Sequence, residues 1–94
     1  MKKVQPLSKI IDSLFRDPKL RVHLQKGRVF GAWARVVGPQ IAQISRPTFF
    51  KKGELFIRVN TPVWRNELTM MQTELIGKLN DEIGEKIVKQ IIFR

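Results

Sequence analysis

Leu55, Ile57 and Val59 alternate with Phe56, Arg58 and Asn60 directly after a Lys52-Gly53 pair. Apolar residues at a period of two, entered through a Gly-bearing turn, read as the second arm of a β-hairpin. Pro47 to Lys52, rich in Thr and Phe, supplies the first arm. A lone hairpin is marginal in water, so its apolar face must be covered by something else in the chain.

That cover is written on both sides in helical spacing. Leu7, Ile10, Ile11, Leu14 and Phe15 predict an amphipathic helix of about three turns. Asp17-Pro18 ends it and opens the next, Asp17 as cap and Pro18 in the first turn. Leu20, Leu24, Phe30, Trp33 and Val37 mark the second apolar stripe, which Gly38-Pro39 stops. Gly27 and Gly31 lie inside it, so either a break near Gly27 or a closely packed neighbour is expected. Pro39 to Gln43 is long enough for one short helical turn. After the hairpin, Thr61-Pro62 starts a helix of about six turns whose stripe is Trp64, Leu68, Met71, Leu75 and Leu79. Gly84 ends it, and Ile87 to Phe93 reads as a final strand. Trp33, Trp64, Met70 and Met71 are expected in the core.

The expected order is therefore α-α-β-β-α-β, an α+β chain with a three-stranded mixed sheet packed with helices. The last strand returns after a helical crossover and is expected to lie parallel to the first hairpin strand. An α-β-β-α-β core of this kind is the plan of type II KH-like domains. With 94 residues, one domain over 1–94 is expected, with helices in 1–38 and a β-β-α-β core in 39–94.

Charge is the strongest compositional signal. The chain holds 18 Lys and Arg against 8 Asp and Glu, net +10. Residues 1–35 carry +7, residues 36–66 carry +4, and residues 67–94 carry −1. The basic surface therefore belongs to the first two-thirds and predicts a polyanionic partner. Candidate nucleic-acid contacts are Lys2, Lys3, Lys9, Arg16, Lys19, Arg21, Lys26, Arg28 and Arg35 on the helical segments. Lys51 and Lys52 at the hairpin turn join them, with Arg46 and Arg58 on the strands. Phe49, Phe50 and Phe56 lie on adjacent strands, with Phe56 on the same side as Arg58. If that side were open, aromatics and Arg would make a single-strand platform; the expectation is that the N-terminal helices cover it.

Catalytic chemistry is poorly supplied. His23 is the one histidine, and general acid–base work needs an oriented partner for it. No phosphate-binding Gly-rich loop occurs. Glu67, Glu74, Asp81, Glu82 and Glu85 fit the solvated face and end of one helix rather than a convergent metal site. The chain has no cysteine, which excludes disulfides, thiolate metal sites and Cys nucleophiles. No catalytic residue, metal or cofactor is assigned, and no small-molecule substrate. No uninterrupted apolar stretch follows Met1-Lys2-Lys3, so neither a signal peptide nor a membrane span is expected, and the chain reads as cytoplasmic. Gly27 to Gly31 is GxxxG, and the GXXG nucleotide clamp of KH domains occurs nowhere.

An ordered set of motifs resembles the DciA-like family. It begins with Ala32-Trp33-Ala34-Arg35-Val36-Val37-Gly38-Pro39-Gln40-Ile41-Ala42, followed by Ser45-Arg46-Pro47. Lys52-Gly53-Glu54-Leu55 with Val59 resembles the family's hairpin. Trp64-Arg65-Asn66-Glu67-Leu68, Leu79-Asn80, Gly84 and Ile92-Phe93-Arg94 complete it, so that the resemblance spans residues 30–94. It implies a bacterial DNA replication factor with a KH-like domain that binds a DnaB-type replicative helicase and single-stranded or forked DNA. Such a protein assists helicase loading without an ATPase of its own, in the cytoplasm at the nucleoid. Trp64, Arg65 and Asn66, at the strand-to-helix corner, are the candidate helicase contact. Many family members add a long basic C-terminal extension. This chain stops at Arg94 and reads as the short form, its basic helices standing in for part of that extension. The alternatives are a general DNA- or RNA-binding module and a homo-oligomeric adaptor joined through the sheet edge.

Overall fold

The computed structural model describes residues 7–94, less the side chains of Ile11, Asp12, Leu14 and Phe15. Three of the five residues of the first predicted stripe, and Lys2 and Lys3, thus lie outside the described residues. Helix α1 spans Leu7–Arg16 and α2 spans Pro18–Ile44. The Asp17 carboxylate accepts the Lys19 N–H at 3.0 Å, and Pro18 occupies the first turn, as the sequence predicts.

Helix α2 runs unbroken through Gly27 and Gly31. A Cβ at Gly27 would meet nothing within 4 Å, and one at Gly31 would meet only the Arg35 side chain of the same helix. Among the described residues the expected break and the expected close neighbour are both absent. The interruption comes at Gly38, where φ 85 and ψ 168 place the backbone in a region open essentially to glycine alone. Pro39 then opens the short second helical segment, where its missing N–H costs nothing. The buried residues of α2 are Val29, Ala32 and Trp33. Leu24 is 40% exposed, because burial against the rest of the fold begins only at Val29.

Strands β1 (Ser45–Lys51) and β2 (Glu54–Val59) form the hairpin. Lys52 and Gly53 both have positive φ, 52° and 82°, the signature of a type I′ turn, whose twist matches the strands it joins. Strand β3 is Gln90–Phe93, and the sheet order is β1-β2-β3. The last strand is parallel to β2, the second hairpin strand, rather than to the first as expected. The reason lies in β1. It carries Pro47, which has no N–H for a second neighbour, and a register shift between Pro47 and Phe49. Both features confine a strand to an edge.

The predicted six-turn helix is two helices, α3 (Pro62–Met70) and α4 (Gln72–Ile83). The Thr61 hydroxyl accepts the Trp64 N–H at 3.2 Å and starts α3. The Thr69 hydroxyl bonds back to the Arg65 carbonyl at 2.7 Å, a contact that bends helices, and the chain breaks at Met71. The predicted stripe stays in phase across the break, with Met71 packed against the core at the junction. Leu68, Leu75 and Leu79 are buried, but Trp64 is 40% exposed and Met70 75%, so neither is a core residue.

Gly84 caps α4, its N–H donating to the Asn80 carbonyl at 2.8 Å. The Asn80 side chain then holds the following loop as a backbone strand would. Its Nδ2 donates to the Val88 carbonyl and its Oδ1 accepts the Val88 N–H, both at 2.9 Å. The Gly53 carbonyl accepts from Lys89 and Gln90, seating the start of β3 against the hairpin turn.

Leu55, Ile57, Val59 and Ile91 form the buried face of the sheet, as the alternation predicts, packed with Val29, Ala32 and Trp33 of α2 and Leu75 and Leu79 of α4. Ser45 is the one buried polar residue among the described residues. Its Oγ accepts the Trp33 indole N–H at 3.0 Å and donates to the Ile41 carbonyl at 2.6 Å. Four helices with a three-stranded mixed sheet, in the order α-α-β-β-α-α-β, make this an α+β, KH-like fold.

Candidate nucleic-acid interface

Strand alternation sends Arg46, Phe49, Phe56, Arg58, Ile92 and Arg94 to the face opposite Leu55, Ile57 and Ile91. The expectation that the N-terminal helices cover this face is overturned. Their buried residues go to the other side, and here Phe49 is 46% exposed while Arg46, Arg58 and Arg94 are exposed. Lys26 of α2 approaches the edge, its Nζ 6.0 Å from the Phe49 ring and 5.4 Å from that of Phe30.

The register of the sheet builds rows across it. Arg46 stands directly opposite Arg58. Arg94 donates its N–H to the Ile57 carbonyl and accepts the Val59 N–H, which sets it beside Arg58 on the other side. Three arginines thus cross three strands in a line about 10 Å long. None makes an ion pair among the described residues. Like charges opposed across strands are destabilising, by about 1 kcal/mol per pair at about 5 Å in water. One row along, Phe49 opposes Phe56 with ring centroids 5.8 Å apart and planes tilted by 60°. The Arg94 guanidinium lies 4.9 Å over the Phe56 ring. Along β2, between Phe56 and Asn60, lies an open cavity of about 580 Å³, lined also by Thr48, Arg65 and Arg94 but not by Arg46 or Phe49.

The other candidate residues fall elsewhere. Lys9, Arg16, Lys19 and Arg21 are exposed on α1 and the first turn of α2. Arg28 donates to the Ile83 carbonyl at 2.7 Å and pairs with Glu85 at 3.3 Å, satisfying the C-terminal end of α4. Arg35 pairs with Glu82 at 2.6 Å. Both cations are engaged in joining α2 to α4. Lys51 and Lys52 are exposed at the hairpin turn, where Lys52 shares a second cavity with Lys86 and Lys89. Of the three candidate helicase contacts, Trp64 and Asn66 are exposed. Arg65 turns to the sheet instead, its Nη2 3.3 Å from the Val59 carbonyl and its Nε buried with no acceptor.

Sequence reasoning missed Arg94, Lys86 and Lys89, because residues 67–94 look nearly neutral when counted as a block. Alternation within Gln90–Phe93 could have placed Arg94 on the face of Phe56, but only the pairing of β3 with β2 shows it beside Arg58. Among the described residues no helix is long and apolar enough to cross a membrane, and no group of acidic or histidine side chains could hold a metal ion.

The fold and this face define a KH-like domain without the GXXG clamp, its sheet bare and arginine-rich on one side. The sequence matches the family described as Dna[CI] antecedent, DciA, over residues 6–93, and the chain belongs to that family. The UPF0232 protein of Mycobacterium marinum is 33% identical over 87 residues, covering 93% of this chain and 46% of the relative. The UPF0232 protein of Mycobacterium tuberculosis H37Rv shows the same identity and coverage. The chain thus spans about half the length of the curated relatives it matches.

Proposed function

We propose that this protein is a non-enzymatic DNA replication accessory that binds a DnaB-type replicative helicase and DNA and assists loading of the helicase. Membership of the DciA family carries the reading. The exposed cations of α1, α2 and the sheet support its DNA-binding half. Residues 1–94 act as one domain at the nucleoid, with no small-molecule substrate. Loading is stoichiometric: binding energy biases the helicase ring toward an open state, with no nucleotide hydrolysed by this chain.

Trp64 and Asn66, exposed at the start of α3, form the helicase contact, with Arg65 holding that end of the helix to β2. Co-elution with purified replicative helicase, at salt high enough to screen phosphate contacts, tests the reading. Trp64→Ala is expected to weaken co-elution while leaving the unfolding midpoint nearly unchanged, since the ring is not in the core. Absence of wild-type co-elution at every salt concentration refutes the helicase role.

A further inference from the structure

The arginine row sets three like charges side by side with no ion pair among the described residues. Arg46, Arg58 and Arg94 gain nothing from one another, and no carboxylate reaches them among the described residues. Contrast Arg28 and Arg35, whose partners are built into α4. Beside the row stands an aromatic pair, Phe49 exposed and Phe56 partly buried beneath the Arg94 guanidinium. A polyanion alone would satisfy the arginines but leave the Phe49 ring in water.

We infer that the bare face of the sheet binds single-stranded DNA, seating unpaired bases on Phe49 and Phe56 and phosphates along Arg46, Arg58 and Arg94. The inference rests on the reading of the protein as a DNA-binding replication factor, and it specifies the surface and the residues that hold the strand. Duplex DNA hides the faces of its bases in the helical stack, so it meets the arginines and not the rings. A single strand meets both. The two rows lie two residues apart along the strands, about 7 Å, which is the stride of one extended nucleotide. The Arg94 guanidinium now covers Phe56. An exposed cation–π contact of that kind is weaker than base–aromatic stacking, so an arriving base displaces Arg94 and leaves it beside the backbone phosphate. The 580 Å³ cavity lined by Phe56, Arg58 and Arg94 is the space that the nucleotide stacked on Phe56 enters. This mode replaces the missing GXXG clamp, which in other KH domains holds the backbone at a loop.

Fluorescence anisotropy with a labelled oligo-dT of about 15 nucleotides tests the assignment on the full chain. Phe49→Leu keeps an apolar side chain but removes the ring, and is expected to weaken oligo-dT binding by about 5- to 150-fold. Phe49→Trp restores a ring and is expected to bind at least as tightly as wild type, which a merely structural role for Phe49 does not predict. The double variant Arg46→Gln/Arg58→Gln is expected to lower the log–log salt slope by about 1.4. A duplex of the same length is expected to bind more weakly than oligo-dT and to be insensitive to Phe49→Leu.

Unchanged oligo-dT affinity in Phe49→Leu, with the unfolding midpoint and helicase co-elution both intact, overturns this inference and leaves the replication reading standing. Oligo-U RNA bound more tightly than oligo-dT overturns the assignment to DNA. Loss of helicase co-elution in Arg46→Gln/Arg58→Gln, with oligo-dT binding retained, assigns the face to a protein partner and overturns it as well. Failure of wild type to bind helicase at all, with the Phe49 and arginine effects present, instead counts against the helicase role alone.

Discussion

Ser45→Ala removes the one hydroxyl that links the core indole to the helix before it. The Trp33 side chain is 1% exposed, so its N–H cannot turn to water when the acceptor at 3.0 Å is lost. An orphaned buried donor costs about 1–3 kcal/mol. The Ile41 carbonyl also loses its 2.6 Å donor, at a position half-open to solvent, adding less than about 1 kcal/mol. A total near 2.5 kcal/mol follows. For a chain of 94 residues each kcal/mol moves the unfolding midpoint by about 5 °C, so a fall of about 10–15 °C is expected. Urea denaturation should show a lower midpoint at unchanged slope. The decisive measurement is a double-mutant cycle with Trp33→Phe, which deletes the indole N–H. In that background Ser45→Ala loses only the Ile41 bond and is expected to cost under about 1 kcal/mol, leaving a coupling energy above about 1 kcal/mol. If Ser45→Ala costs the same in both backgrounds, the indole–hydroxyl bond contributes nothing and the reasoning is refuted.

Other outcomes follow from the same geometry. Asn80→Ala strips both hydrogen bonds from Val88, which is 2% exposed, and is expected to lower stability by about 2–4 kcal/mol in calorimetry. A loss under about 0.5 kcal/mol would mean that the loop into β3 is held by packing alone. Gly38→Ala forces a side chain onto φ 85, ψ 168 and is expected to cost about 1–3 kcal/mol, read as a lower unfolding midpoint; a neutral result would show that α2 can straighten or re-kink at no cost. Lys52→Asn places a residue suited to positive φ at the first turn position and is expected to raise the midpoint by a few degrees.

What the sequence discloses is what short-range chemistry decides. Leu55, Ile57 and Val59 are buried as their alternation requires. Asp17-Pro18, Gly38-Pro39 and Thr61-Pro62 stand where elements start or turn, because each acts on its own backbone. The parallel partner of β3 depends instead on which hairpin strand can accept a second neighbour, and Pro47 with its bulge disqualifies β1. Trp64 illustrates another limit. Its spacing from Leu68 is helical and both lie in α3, but Leu68 is fully buried while Trp64, one turn nearer the helix start, is 40% exposed, so periodicity gives the face and not how far along it the core extends. The candidate site was legible in kind, as aromatics with arginines on adjacent strands. Its location was not, since exposure depends on which side the helices choose, and the third arginine joins only through tertiary pairing.

The row of arginines also ties occupancy to folding. Residues 46, 58 and 94 meet only when β3 has docked on β2, so the unfolded chain holds no local version of the site. A ligand that needs the assembled row therefore favours the native state and raises the unfolding midpoint as its concentration rises. Detachment of β3, the shortest strand, would dissolve the site while the hairpin persisted. The C-terminal strand is thus a latch on the proposed binding surface: the three-arginine row exists only in molecules whose last strand has docked.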